Sequence, residues 1–145
     1  MTKFNPTYPT DLKYTEWQQI AEFFPTFQMG RPPKWEKWQV INAILYVNRT
    51  GCQWRMLPVN FPPWRTVYFY YWSWQRDGVW QRINDVLVKK VRKQAGRHER
   101  PSAAVIDSQS VKTSEGGEER GVDVHKQTPG RKRHLIVDVL GLVLL

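Results

Sequence analysis

The amino-acid sequence predicts an α+β protein in which a helical N-terminal part is followed by β-strands. All of the 8 Trp, 6 Tyr and 6 Phe lie between Phe4 and Trp80, whereas the apolar residues after Gly96 are Val, Ile, Leu and Ala. Apolar residues recur at helical spacing in the first part, and short β-branched runs occur in the second. We therefore expect an extended arm over residues 1–14, a helical domain over 15–96, and the start of a second domain over 97–145.

The first two helices are predicted from apolar spacing and from the residues that end them. A helix over 15–24 is expected to begin with Thr15 as its N-cap and to stop at Pro25. A stronger helix over 36–50 has one broad apolar face, and Gly51 stands where a C′ glycine belongs. The segment that follows Gly51 is long enough for only a single helical turn.

The aromatic segment after residue 63 has the composition of a strand but the boundaries of a helix. Pro63 is well placed at a first helical turn and Gly78 is well placed beyond the last, so we expect a helix over 64–77. Such a helix would be apolar on two faces. Two interpretations remain open: a fully buried central helix, or a helix with one face against DNA or a partner protein.

The helices over 36–50 and 64–77 resemble a helix-turn-helix in size and order, although their connection is longer than in the strict motif. A DNA-binding helix-turn-helix uses the start of its second helix to contact bases. On this interpretation Arg65, Thr66, Tyr68 and Phe69 lie early on the second helix, where base contacts usually arise. The candidate DNA-binding residues of this helix are Arg65, Thr66, Tyr68 and Arg76. The formal net charge of +9 also favours an anionic partner, nucleic acid first.

The fourth helix and the strands complete the predicted order of elements. A helix over 79–95 ends in a cationic run before Gly96. Strands are expected over 103–107 and 133–140, with a long polar loop over 112–130 between them. A turn at Gly141 then leads into a third strand, and we expect these strands to open a larger α/β domain.

Two acidic residues lie in the predicted strand region. Asp107 follows an apolar strand, a position at which carboxylates bind metal ions in phosphoryl-transfer enzymes, but at which a turn or cap residue is also common. Asp138 lies between two valines of the second strand. We interpret Asp138 as a solvated strand residue, with a smaller chance that it shares a metal site with Asp107.

A cationic cluster enters the second strand at Arg131, Lys132 and Arg133. Consecutive cations beside a glycine-rich loop suit a DNA phosphate backbone, and Lys112 at the other end of the loop is included in the same set of candidates. The alternative is that cations at a strand entrance block edge pairing.

Several classes of protein are excluded by the sequence. No apolar run is long enough for a transmembrane helix, so no membrane partner is expected. The N-terminus lacks the apolar stretch of a secretory signal. The single cysteine, Cys52, excludes a disulfide framework and a cysteine-rich zinc site.

Several motifs together resemble bacterial insertion-sequence transposases, specifically the DDE transposases of the insertion sequence 5 superfamily. The motifs, in order, are GRPPKW at 30–35, TGCQWRMLP at 50–58, IDSQSVKT at 106–113 and GRKRHLIVDVLGL at 130–142. The resemblance covers nearly the whole chain, and the second and third motifs are highly specific in combination.

The resemblance implies a helical domain that binds double-stranded DNA at the terminal inverted repeats of the element, followed by a ribonuclease-H-like catalytic domain. Three acidic residues of that domain hold two Mg²⁺ or Mn²⁺ ions, and Asp107 matches the first of them. The other two belong downstream of Leu145 in such enzymes. We therefore expect this chain to be catalytically silent alone, to hold no metal stably, and to act in the bacterial cytoplasm at the nucleoid.

Two alternatives to DNA binding remain open. The aromatic helix over 64–77 could form a protein-interaction module that binds a second copy of the chain or the missing catalytic half. The chain could also inhibit a full-length transposase by forming mixed oligomers with it.

Overall fold

The computed structural model describes residues 4, 6–26, 32–112, 121–123 and 128–144, and it describes side chains outside 107–133. The chain divides into two compact units, Met1–Ile83 and Asn84–Leu145. Its helices are α1 (Tyr14–Ile20), α2 (Lys37–Thr50), α3 (Trp64–Arg76) and α4 (Val79–Gln94), with 3₁₀ turns at Ala21–Phe23 and Trp54–Met56. Its strands are β1 (Ala104–Lys112), β2 (Gly121–Asp123) and β3 (Thr128–Asp138). Helices followed by an antiparallel sheet agree with the predicted α+β class.

The start of α1 differs from the prediction. Lys13, not Thr15, is the N-cap, because the Glu16 carboxylate accepts the Lys13 backbone N–H at 2.7 Å and satisfies one of the unpaired donors at the helix start. The α-helix ends at Ile20 and continues as a 3₁₀ turn to Phe23, so the predicted helix over 15–24 is a helix followed by a tighter turn.

The ends of α2 and α3 follow the residues that predicted them. Gly51 has a φ of 68°, and its N–H donates to the Val47 carbonyl at 2.8 Å, which closes α2. Pro63 is the N-cap of α3, and its carbonyl accepts N–H groups from Thr66 and Val67. The aromatic segment is therefore a helix, and the segment after Gly51 contains the expected single turn at Trp54–Met56.

The core of the first unit is built on the buried face of α2, which packs against α3. Phe24, only 2% exposed, contacts the rings of Trp17, Trp74 and Trp80 with centroid separations of 5.8, 4.6 and 5.8 Å. The buried residues of α2 are Val40, Ile41, Asn42, Ala43, Ile44 and Val47. The aromatic cluster around Phe24 contains three of the eight tryptophans of the chain.

Residues just before α1 are tied to α2. The Asp11 carboxylate accepts the backbone N–H groups of Thr7 and Tyr8 at 2.7 and 3.0 Å, and the Leu12 N–H donates to the buried Asn42 side chain at 3.1 Å. The Tyr8 ring also stacks on Phe61 with a centroid separation of 5.0 Å. This part of the predicted arm therefore packs on the helical core.

The second unit contains a three-stranded antiparallel sheet of order β1-β3-β2. β1 pairs with β3 from Ala104↔Asp138 to Lys112↔Gly130, so both strands are longer than predicted. The predicted loop over 112–130 contains β2 and the start of β3, because an antiparallel ladder extends through backbone hydrogen bonds whatever the side chains are.

The turn after β3 brings the chain back against it. Gly141 has a φ of 76°, and Val143 forms an antiparallel bridge with Val137. The predicted turn at Gly141 is confirmed, with a bridge where a third strand was expected. Within the described residues, no helix is long and apolar enough to cross a membrane.

Candidate nucleic-acid interface

The third helix has a buried face and an exposed face. Val67 and Trp74 are buried, at 0% and 3% exposure. On the opposite side a continuous stripe is exposed, which we call the outer face of α3. It consists of Arg65, Tyr68, Phe69, Trp72, Gln75 and Arg76. Because these residues recur at intervals of three and four, they share one side of the helix.

The outer face includes three of the four residues predicted on this helix. Arg65, Tyr68 and Arg76 lie on it together. Thr66 does not, because one residue turns a helix by about 100° and places Thr66 on its flank, where it is half-buried. The structure therefore separates Thr66 from the other three residues.

Aromatic side chains dominate the centre of the outer face. Phe69 is 62% exposed, Trp72 is 51% exposed and Tyr68 is 45% exposed. Burial of such rings usually stabilises a fold, so their exposure on one stripe marks a surface suited to a partner. The interpretation of α3 as a fully buried central helix is wrong.

A guanidinium group lies at the C-terminal end of the outer face. The Arg76 side chain lies over the Trp72 ring, 5.1 Å from its centroid. Arg76 Nε also donates to the Asp77 carboxylate at 2.9 Å, and Arg82 donates to the Asp77 backbone carbonyl at 2.8 Å. The hydrogen bond from Arg76 holds the pKa of the Asp77 carboxyl below its ordinary value, although partial desolvation acts in the opposite direction. Because the guanidinium groups of Arg76 and Arg82 both lie near the single carboxylate of Asp77, the C-terminal end of the outer face carries a net positive charge.

Two further guanidinium groups lie at the N-terminal end of α3. Arg65 and Arg55 both lie over the Trp64 ring, at 5.4 and 5.5 Å from its centroid. Arg55 belongs to the 3₁₀ turn that precedes α3 and was not among the predicted site residues. The sequence signal that could have identified Arg55 is its place in the TGCQWRMLP motif. The 3₁₀ turn formed by this motif brings Arg55 to the start of α3.

The remaining predicted cations lie in the sheet. The register pairs Lys112 with Gly130, and it pairs residues 109–111 with Arg133, Lys132 and Arg131 in turn. The backbone positions of all four predicted cations therefore lie at the same end of the β1–β3 ladder. Their side chains lie outside the described part of the structure.

The prediction that Asp138 is a solvated strand residue is wrong. Its side chain is buried and forms an ion pair with Arg92 of α4, and its other carboxylate oxygen accepts the N–H groups of Leu140 and Leu142 at 2.8 and 2.9 Å. Burial raises the pKa of the Asp138 carboxyl, but these hydrogen bonds outweigh it and hold the pKa below its ordinary value. The carboxylate is thus occupied by structural partners.

Asp107 and Asp138 do not combine into a metal site. Asp107 pairs with Leu135 in the register, and Asp138 lies three residues beyond Leu135, so strand alternation assigns positions 107 and 138 to opposite faces of the sheet. Among the residues whose side chains are described, no group of three or more His, Cys, Asp or Glu could hold a metal ion. The described side chains alone therefore do not supply the donor set of a two-metal centre.

Comparisons with known proteins relate the chain to mobile DNA elements. A family model described as "Putative transposase of IS4/5 family (DUF4096)" matches residues 12–84, about half of the chain. The chain is 33% identical over 95 residues to the "Insertion element IS402 uncharacterized 16.2 kDa protein" of Burkholderia cepacia, covering 61% of the chain and 57% of that protein. It is 30% identical over 80 residues to "Uncharacterized protein y4sN" of Sinorhizobium fredii, covering 54% and 64%.

The chain spans about three fifths of the length of these curated relatives. No solved structure matches it. The matched residues 12–84 include α1, α2 and α3, and therefore the whole outer face of α3.

Proposed function

The chain belongs to the IS4/5 family of transposases, and from that premise we propose that it binds the terminal DNA of an insertion element through the outer face of α3. The observation that carries the proposal is the exposure of Arg65, Tyr68 and Arg76 on one side of a helix inside the segment matched by the family. The net charge of +9 supports an anionic partner.

The proposed binding resembles that of a helix-turn-helix. α2 packs against α3 and supports it, while the long connection between them is partly occupied by the 3₁₀ turn that carries Arg55. Arg55 at the N-terminal end of α3 is suited to a DNA phosphate, where the positive end of the helix dipole adds to its charge. Arg65 and Tyr68 are the residues placed to contact base edges.

We propose that the second unit is the beginning of a ribonuclease-H-like domain. Its support is the order of antiparallel segments: β3 is central, and Val137 pairs with both Val105 and Val143. Asp107 on β1 would supply the first acidic residue of the catalytic domain, which binds Mg²⁺ or Mn²⁺ in such enzymes. The residues Lys112, Arg131, Lys132 and Arg133 would contact the phosphate backbone from one end of the ladder.

The test is a binding titration of the 145-residue chain at several salt concentrations. The probes are DNA fragments from both sides of the encoding reading frame, with scrambled duplexes of equal composition as controls. Between about 50 and 200 mM salt the affinity should fall steeply, because each neutralised phosphate releases counterions. Absence of binding, or affinity that does not change with salt, would overturn the proposal.

A second function is favoured by the three exposed rings of the outer face. Trp, Tyr and Arg are the residue types that contribute most to protein–protein interfaces. The surface could bind a second copy of the chain or the catalytic part of a transposase, and the chain could then inhibit the full enzyme through mixed oligomers. Light scattering across a range of protein concentrations separates this function from the first: a strict monomer that binds DNA excludes self-association.

A further inference from the structure

We propose that the outer face of α3 stacks against unpaired nucleobases, so that the chain binds a DNA end with an opened duplex more tightly than a fully paired one. This inference rests on the proposed DNA binding and adds the form of DNA that the surface recognises. It assigns to Phe69 and Trp72 the role of stacking on base faces, which differs from the base-edge contacts of a helix-turn-helix.

The chemistry of the central residues favours base faces over base edges. Base edges in a duplex groove present hydrogen-bond donors and acceptors, which arginine, lysine, asparagine and glutamine side chains read. Phe69 has no hydrogen-bonding group, and yet it is the most exposed ring of the stripe at 62%. An unpaired base presents an aromatic face that is covered by its neighbours in a continuous duplex, and aromatic side chains stack on such faces.

The rings are held in place by neighbouring side chains before any ligand arrives. Tyr68 contacts Trp54 edge-to-face with a centroid separation of 5.5 Å, and Phe69 contacts Tyr70 at 5.7 Å. The Arg76 guanidinium lies over Trp72. Because these contacts restrict the rotamers of the exposed rings, less conformational entropy is lost when a base stacks on them.

The charges at the two ends of the stripe identify the occupant as a nucleic acid strand. Arg65 precedes the rings and Arg76 follows them, and the rise of a helix separates these positions by about 16 Å. All six residues of the outer face are described, and none of them is acidic. The neighbouring Asp77 pairs with Arg76, but Arg82 also lies against Asp77 and leaves this end of the stripe positive. Cations at both ends with aromatic rings between them form the combination that binds single-stranded nucleic acid, with phosphates on the cations and bases on the rings.

The experiment compares three fluorescent probes of equal length that share one labelled strand. The first is a full duplex, the second has a non-complementary end, and the third is the single strand alone. The protein is the full chain, tested at one fixed salt concentration, with 2-aminopurine in the unpaired end to report on stacking. The wild-type chain should bind the open-ended probe about tenfold or more tightly than the full duplex, since one base–aromatic stack contributes an effect of this order.

The variants Phe69→Leu and Trp72→Leu remove the rings but keep an apolar side chain. In both variants the ratio of the open-end affinity to the full-duplex affinity should fall toward one, because stacking on unpaired bases is what favours the open end. Tyr14→Leu is the matched control, since Tyr14 is a ring of similar exposure, 55%, on another helix. It should keep the preference.

Equal affinity for the paired and the open ends, with duplex binding intact, would overturn this inference and leave the proposed function standing. If both ring variants retain the preference for the open end, the inference is also overturned. If the wild-type chain binds none of the three probes, both the inference and the proposed function are overturned. If the ring variants instead abolish self-association and leave all DNA affinities unchanged, the outer face contacts protein and the inference is wrong.

Thermal unfolding verifies that each variant is folded. Phe69→Leu carries the test if Trp72→Leu does not fold, because Phe69 has the smaller share of buried surface.

Discussion

Arg92 of α4 and Asp138 of β3 form a buried ion pair across 46 residues of sequence. Arg92 Nε also donates to the His98 carbonyl at 2.8 Å, so one guanidinium joins the end of β3 to the segment that follows α4. Each charge is matched by a partner and by further hydrogen bonds, which is the condition under which charges are tolerated in a protein interior. The pair therefore organises the second unit, and its loss is expected to destabilise that unit.

The first prediction concerns the acid sensitivity of this pair. The folded-state pKa of Asp138 lies below its ordinary value, so its contribution to stability is fully present above the unfolded-state pKa of about 4 and is lost as the pH falls through the lower folded-state pKa. Asp138→Asn keeps an acceptor for the N–H groups of Leu140 and Leu142 but removes the charge. The variant should be less stable than the wild type at pH 6, and the difference should shrink below about pH 4.

Urea unfolding followed from pH 6 to acid pH measures this difference. Asp77 and Glu99 also have pKa values held below their ordinary range, but they are unchanged in the variant and cancel in the comparison. A stability difference that stays constant across the acid range would contradict the prediction. Asp138→Ala, which removes the acceptor as well, should be less stable than Asp138→Asn at every pH.

The ion pair also shows where sequence reasoning fails in this chain. A strand residue between two valines is expected to alternate toward solvent, and it is the ion pair with Arg92, together with the hydrogen bonds from Leu140 and Leu142, that makes burial of Asp138 acceptable. Nothing local to either residue signals a partner 46 positions away. The strand lengths were underestimated for a related reason, since β1 and β3 extend each other by backbone pairing through polar residues.

Local signals were enough to predict the ends of α2 and α3, whereas the start of α1 differs from its prediction. Gly51, Pro63 and Gly78 mark helix ends through their backbone preferences, and the structure places each of them at such an end. Helical periodicity placed Arg65 and Arg76 on one face, whereas Tyr68 was a candidate from its early position on the second helix. Arg55 was missed because its place beside Trp64 depends on the path of the turn before α3 and not on any repeat in the sequence.

The second prediction concerns the aromatic core. Phe24→Ala should destabilise the first unit by about 3–5 kcal/mol, because the buried ring contacts three tryptophans and its removal leaves a cavity. Phe69→Ala is the matched control on the exposed stripe and should change stability by no more than about 0.5 kcal/mol. Chemical denaturation of the full chain measures both variants, and comparable losses would show that the outer face is buried in solution.

The third prediction concerns the end of α2. Gly51 is left-handed with a φ of 68°, and a Cβ added there would meet no atom within 4 Å. Gly51→Ala should therefore cost about 1 kcal/mol from backbone strain alone. Gly51→Asn should cost less, since asparagine tolerates this conformation better. Thermal unfolding that ranks alanine equal to asparagine would contradict this explanation.

The fourth prediction separates base contacts from phosphate contacts. Arg65→Ala should weaken binding to the element's terminal DNA more than binding to scrambled DNA, by about 1–3 kcal/mol, if Arg65 contacts a base edge. Lys132→Ala should weaken binding to both sequences alike and reduce the salt dependence by about one counterion. Titrations of both variants against both duplexes provide the measurement. A uniform loss for Arg65→Ala would assign this residue to the phosphate backbone.

The fifth prediction is that the chain alone does not cleave DNA. Two-metal catalysis requires several carboxylates around ions about 4 Å apart. Asp107 resembles one member of the acidic triad, and the carboxylate of Asp138 is already bound by Arg92 and two backbone N–H groups. Plasmid DNA that carries an element end should therefore remain supercoiled with the chain in millimolar Mg²⁺ or Mn²⁺. Asp107→Asn should bind the same DNA as the wild type does, because Asp107 is not among the proposed DNA-contacting residues. Nicking by the wild type that disappears in Asp107→Asn would show instead that this chain assembles a working metal centre.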